Sequence, residues 1–243
     1  MTKYESMVDC HGESWSYVPE TRFGQWFLRT NIWTVHVLKR AINDLDRILE
    51  NRQPSYPVIV DVGCGWGRSF RLLAEKFNPQ KMIGIEIDPK MALASRLETR
   101  ELPTPVEIIE CSNSKIDLPD DCADIAFCHQ TFHHLLDHEA ALSECFRILK
   151  PGGLLLFAES TKRYIHSYLV RYLFAHPMDI QMTAKQYLTL IRSSGFLIND
   201  NEISYPYLWW SREDLGIGER WFGIPPRTER EQTLVNLIAR KPT

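Results

Sequence analysis

The sequence predicts an α/β domain built on a doubly wound, mostly parallel sheet of seven strands, with an N-terminal helical cap and a C-terminal antiparallel hairpin. Three observations carry that prediction. Short apolar runs alternate with helical stretches from Val58 to Ala158, the rhythm of βαβ units joined by right-handed crossovers. A glycine-rich turn, Gly63-Cys64-Gly65-Trp66-Gly67, follows the first run. An acidic residue, Glu86, closes the second.

Residues 1–20 are polar and read as irregular. From Thr21 to about Glu50, Trp26, Trp33, Val37 and Ile48 fall at spacings that are sums of three- and four-residue steps, which predicts helix. Two prolines between Asn51 and Pro57 stop it. Val58-Ile59-Val60-Asp61-Val62 is apolar enough for a strand buried on both faces. A helix to about Phe77 follows, then strand Lys81–Ile87, helix Pro89 to about Arg100, and strand Val106–Glu110. Cys122–His129 is the fourth strand, Asp137–Leu149 a helix, Lys150-Pro151-Gly152-Gly153 a turn, and Leu154–Ala158 the fifth strand. Tyr164–Phe174 reads as one helix. Thr183–Ser194 reads as another, stopped by Gly195. Phe196 to about Tyr207 and Gln232–Arg240 read as the last two strands. The organisation expected is an N-terminal cap segment over 1–56, an α/β core over 57–160, and an insertion with the last helix and strands over 161–243.

Composition excludes several classes. With 12 Gly and 14 Pro in 243 residues, the chain is not collagenous or of low complexity. A mean hydropathy of −0.26 and no long apolar run argue against membrane insertion. A net charge of −3 gives no electrostatic footprint for nucleic acid. No secretory leader is read at the start, so a cytoplasmic protein is expected. The six Cys lack a CxxC pair, which suits reduced thiols.

The chemistry lies in the glycine turn and its acidic partner. Glycine reaches positive φ and lets a ligand approach the backbone, and the next helix offers free N–H groups. A carboxylate about twenty residues on, ending the second strand, accepts from ribose hydroxyls. Arg68 stands where the dinucleotide fingerprint requires its third Gly, which disfavours a nucleotide-dependent oxidoreductase. The GxGxG spacing after Asp61 resembles motif I of the class I S-adenosylmethionine-dependent methyltransferases. Gly84-Ile85-Glu86-Ile87-Asp88-Pro89, Ile116–Asp124, Phe132-His133-His134-Leu135 and Leu149–Gly153 resemble further segments of that family, in order.

The resemblance implies a Rossmann-like fold, S-adenosylmethionine as cofactor, and methyl transfer by in-line displacement to a small-molecule acceptor. A non-catalytic cofactor-binding module is the alternative. Asp61 and the backbone of Gly63, Cys64, Gly65 and Gly67 are expected to hold the methionine part, Glu86 the ribose, and Ile87 the adenine. Many family members carry Asp near position 112, where this chain has Cys111-Ser112-Asn113. Ser112 or Asn113 is expected to replace that contact. His129 and Gln130 are expected beside the sulfonium, and His133 is the candidate general base. Arg22, Trp26 and Tyr17 from the N-terminal segment, with Arg163, Tyr168 and Trp209, are the candidate substrate residues. His134 and His138 would share a helix face as i and i+4. No Cys or carboxylate completes a ligand spacing, so no metal is expected.

Overall fold

The computed structural model describes residues 5–8, 14–18, 20–212, 216–225, 230 and 232–243, with side chains from Val18 onward. The central sheet has seven strands: β3 (Val58–Val62), β4 (Lys81–Ile85), β5 (Val106–Ile109), β6 (Ala123–His129), β7 (Leu149–Ser160), β8 (Ile203–Ser204) and β9 (Leu234–Arg240), in the order β5-β4-β3-β6-β7-β9-β8. The first five pair in parallel. β9 runs antiparallel to both β7 and β8. Strand order reverses between β3 and β6, which opens a crevice at their carboxyl ends.

Helices cover both faces because the buried strands carry apolar residues on both sides. On one face, α3 (Lys39–Ile48), α4 (Ser69–Phe77) and α5 (Pro89–Thr99) bury Ile42, Leu45, Phe70, Leu73 and Ala92 against Ile59, Met82 and Ile125. On the other, α6 (His138–Ile148) and α9 (Ala184–Ser193) bury Leu142, Cys145, Tyr187 and Ile191 against Val60, Ile83 and Phe157. α3 lies within the 1–56 stretch, yet it packs in the same layer as α4 and α5.

Local chemistry sets the helix ends. Asp88 caps α5, accepting from the Lys90 and Met91 N–H groups, with Pro89 in its first turn. Asp137 caps α6, and a Thr183–Gln186 capping box opens α9.

Several sequence expectations change. Residues 1–20 contain an antiparallel hairpin, β1 (Glu5–Val8) with β2 (Ser14–Tyr17), because alternation over four residues is too short to read as a period. The helical stretch after Thr21 is broken into α1 (Arg22–Leu28), α2 (Asn31–Trp33) and a π turn at Thr34–Leu38 leading into α3. Tyr164–Phe174 is two short helices, α7 (Lys162–Ile165) and α8 (Tyr168–Leu173). Lys150–Gly153 lies within β7 as a register irregularity against β6 rather than as a separate turn. Phe196–Tyr207 supplies only β8 and a bridge from Leu197 to Arg240, since Asn199–Asn201 favour a turn. The last helix described, α10 (Ile217–Phe222), lies in the late aromatic stretch. No helix among the described residues is long and apolar enough to cross a membrane.

Candidate active site

The carboxyl ends of β3, β4, β6 and β7 converge on one cavity of about 590 Å³. Its floor is the turn after β3. Gly63, Gly65 and Gly67 all have positive φ, at 81°, 53° and 74°. A side chain on Gly63 would meet Thr131 at 2.4 Å, whereas one at Gly65 would meet nothing within 4 Å. Gly63 is therefore required by packing, and Gly65 keeps the loop open toward the cavity.

Two buried carboxylates anchor this floor. Asp61 accepts from the Ser69 hydroxyl at the start of α4. Glu86 accepts from the Gly65 N–H at 2.8 Å and the Asp88 N–H at 2.9 Å, so it ties the turn to the end of β4. Burial pushes both up to about 7. Hydrogen bonds from Ser69, and from the Asp88 and Gly65 N–H groups, pull the other way.

Asp61, Gly63, Cys64, Gly65, Glu86 and Ile87 all line the cavity. So do Asn113, His129, Gln130 and His133. Gly67 does not; it donates to the Cys64 carbonyl and packs on Ser95. Ser112 does not either, because its hydroxyl accepts from the Ser114 N–H at 3.2 Å. Asn113 Oδ1 is buried without a partner, as are Trp66 Nε1 and His129 Nε2. Such orphans in a cavity wall ask for a ligand that supplies the missing hydrogen bonds.

The far wall is a cluster of histidines. Glu159, fully buried at the end of β7, accepts from the Thr131 and Phe132 N–H groups and lies 2.8 Å from His133 Nδ1. When Glu159 is the carboxylate, Nδ1 of His133 donates to it and Nε2 carries the ring's lone pair. Burial takes His133 and His134 down to about 3, so both imidazoles are neutral. Gln181 holds the His133 carbonyl at 2.7 Å. His138 bonds the Phe132 carbonyl at 2.8 Å. His133 and His134 belong to a short 3-10 turn, Phe132–His134, so the face expected to join His134 to His138 does not form. His176, which sequence reading missed, packs there instead with its ring tilted, its centre 4.8 Å from His134 and 5.0 Å from His133.

The roof comes from the flanks. Leu28, Trp33, Leu38, Tyr164, Val170 and Phe174 line the cavity. Thr21 Oγ1 donates to the Leu173 carbonyl at 2.6 Å, and Ala175 N–H donates to Glu20 at 2.9 Å. Phe174 packs edge-on against Phe23 and Phe27. The candidate substrate residues are largely elsewhere. Tyr168 is 94% exposed and Trp209 55% exposed, and neither they nor Arg163 line the cavity. Arg22 and Trp26 line an adjoining surface groove with Arg29, and this groove shares Gln25 and Arg68 with the cavity. Tyr17 ends β2, and its side chain lies outside the described residues. A helix buries one stripe only, and the sequence does not say which stripe faces a ligand.

Residues 60–157 match the methyltransferase-domain family model. Over that stretch the chain is similar to the class I S-adenosylmethionine-dependent methyltransferases. A probable S-adenosylmethionine-dependent methyltransferase of Mycolicibacterium smegmatis is 29% identical over 143 residues, 58% of this chain and 52% of that protein. The chain thus spans about half of that relative's length. Among solved structures, a chain in the complex of the Haloferax volcanii Trm112 methyltransferase activator with a methyltransferase superposes with a TM-score of 0.65, at 16% identity, over 91% of this chain and 95% of that one. The [4+2]-cyclase SpnF superposes at 0.62, with 21% identity, over 84% of this chain and 80% of its own. Such distant likenesses speak to the fold alone. The cofactor of this methyltransferase family is S-adenosylmethionine. The site fits it: an open glycine turn, two buried carboxylates for a cationic ligand, and unmet polar atoms on the cavity wall.

Proposed function

We propose that this chain is an S-adenosylmethionine-dependent methyltransferase that modifies a small-molecule acceptor held in the cavity beneath the roof. One observation carries the reading. A single cavity joins the glycine turn and Glu86 to the histidine wall and the aromatic roof. Its volume, 590 Å³, falls in the range of about 300–1,000 Å³ typical of small-molecule sites. S-adenosylmethionine, when bound, supplies a sulfonium methyl group open to in-line displacement.

Asp61 and the turn backbone hold the amino-acid end, where two buried carboxylates meet a cation. Glu86 has lone pairs beyond the two that Gly65 and Asp88 use, and these receive the ribose hydroxyls. Ile87 packs on the adenine. Asn113 Oδ1 accepts from the adenine amine, which supplies the contact that Ser112 has spent on Ser114. His129 and Gln130 stand at the β6 end, between cofactor and acceptor. Gln130 is held by Ser160 at 2.6 Å and adopts a positive φ of 54°. His133 faces the acceptor as a neutral imidazole. Trp33, Phe174 and Tyr164 exclude water and favour an acceptor with an apolar body.

Thermal melts and labelling test this. S-adenosylhomocysteine is expected to raise Tm while NAD does not. Methyl-labelled cofactor incubated with a fractionated cell extract is expected to mark the low-mass fraction. No shift with the homocysteine product, or label confined to protein or nucleic acid, sinks the proposal.

A further inference from the structure

We propose that His133, His134 and His176 form a binding site for one divalent transition-metal ion of the zinc class, on the acceptor side of the cavity. Each of the three offers a ring nitrogen, and these atoms lie within 4.8 Å of one another. The ring centres are 4.2, 4.8 and 5.0 Å apart. A tetrahedral ion with Zn–N bonds of about 2.0–2.1 Å places its imidazole centres about 5 Å apart. The rings are thus already spaced for a shared ion and need only rotate to converge their nitrogens.

Three further observations support a ligand set rather than chance packing. Glu159 bonds His133 Nδ1, the carboxylate–histidine arrangement that orients metal-bound imidazoles and directs Nε2 outward. Gln181 fixes the backbone behind His133. His176 Nδ1 is buried with no partner, a cost that a bound cation removes. All three histidines line the cavity, so the ion keeps a fourth position open to it, as in catalytic three-histidine sites.

An all-imidazole set suits zinc, copper, nickel or iron rather than calcium or magnesium, which take oxygen ligands. The occupant of the fourth position rests on the small-acceptor reading: it is an oxygen, nitrogen or sulfur atom of the acceptor. On this assignment His133 Nε2 is a ligand and not a proton acceptor.

Metal-stripped protein is titrated with Co²⁺ and followed by the visible absorption of tetrahedral cobalt, then with Zn²⁺ in displacement. One equivalent is expected to bind, with Zn²⁺ displacing it. His176→Gln and, separately, His134→Gln are expected to abolish the absorption while retaining the thermal shift with S-adenosylhomocysteine, which shows each variant folded. Absence of a stoichiometric signal in the unaltered protein overturns the site, as does equal binding by both folded variants. Cofactor binding is read separately, so a failed thermal shift in the unaltered protein would count against the methyltransfer reading and not against the metal.

Discussion

At the scale of single residues, the glycine turn separates two kinds of constraint. Gly63→Ala forces a Cβ into Thr131 at a φ of 81° and is expected to cost more than about 2 kcal/mol of stability. Gly65→Ala meets no atom, so only its left-handed backbone is penalised, by about 1–2 kcal/mol. Chemical denaturation of the two variants checks the order; equal losses would mean the turn relaxes away from Thr131. Titration is the second residue-scale prediction. Asp61, Glu86 and Glu159 are raised to about 7 by burial. A raised group stabilises the fold below its unfolded value and loses that contribution as pH rises through its folded one. His133 and His134, lowered to about 3 from 6.5, contribute above 6.5 and lose it as pH falls toward 3. The two sets oppose each other in mildly acidic solution. Above 6.5 only the carboxylates still change, so Tm of the ligand-free protein is expected to fall as pH rises through about 7. A Tm that climbs across that interval contradicts it.

At the scale of elements, what was legible was local. Val58–Val62, the turn and Glu86 lie within thirty residues or so and declare themselves by apolar runs and backbone chemistry. Asn113 was within reach because it follows a strand in the same pattern. His176 was not, because its contact with His134 is made by folding back a segment whose periodicity carries no address. The π turn at Thr34–Leu38 was also invisible; it places Trp33 and Leu38 on the cavity, and such turns recur at functional sites. α8 illustrates the limit of an aromatic count. Tyr168 and Tyr172 are 94% and 87% exposed, and Val170 is the residue that turns inward. Tyr168→Ala is therefore expected to change stability by no more than about 0.5 kcal/mol and to leave cofactor affinity unaltered. A large loss of affinity in a binding titration would show that α8 turns its exposed face to the ligand.

At the scale of the whole molecule, the sheet and the roof answer to different forces. The sheet is held by two apolar layers and is common to the family fold. The roof is held by three phenylalanines and two polar bonds. Phe174→Ala removes two edge-to-face contacts worth about 0.5–1.5 kcal/mol each. The expected result is faster limited proteolysis between α1 and α8, a raised KM for the acceptor and unchanged cofactor affinity. Unchanged proteolysis and KM would assign the roof no part in retaining substrate.

The bonds that shut this roof, Thr21 to Leu173 and Glu20 to Ala175, join positions 152 and 155 residues apart. Loops of that length close at an entropic cost that only prior order can offset. The five parallel strands, built from near neighbours, supply that order. A nascent chain that has released the glycine turn and Glu86 still has no chamber, because the second half of its cover has yet to be made. On the proposed function, cofactor recognition therefore matures before acceptor recognition, and the choice of acceptor is acquired last.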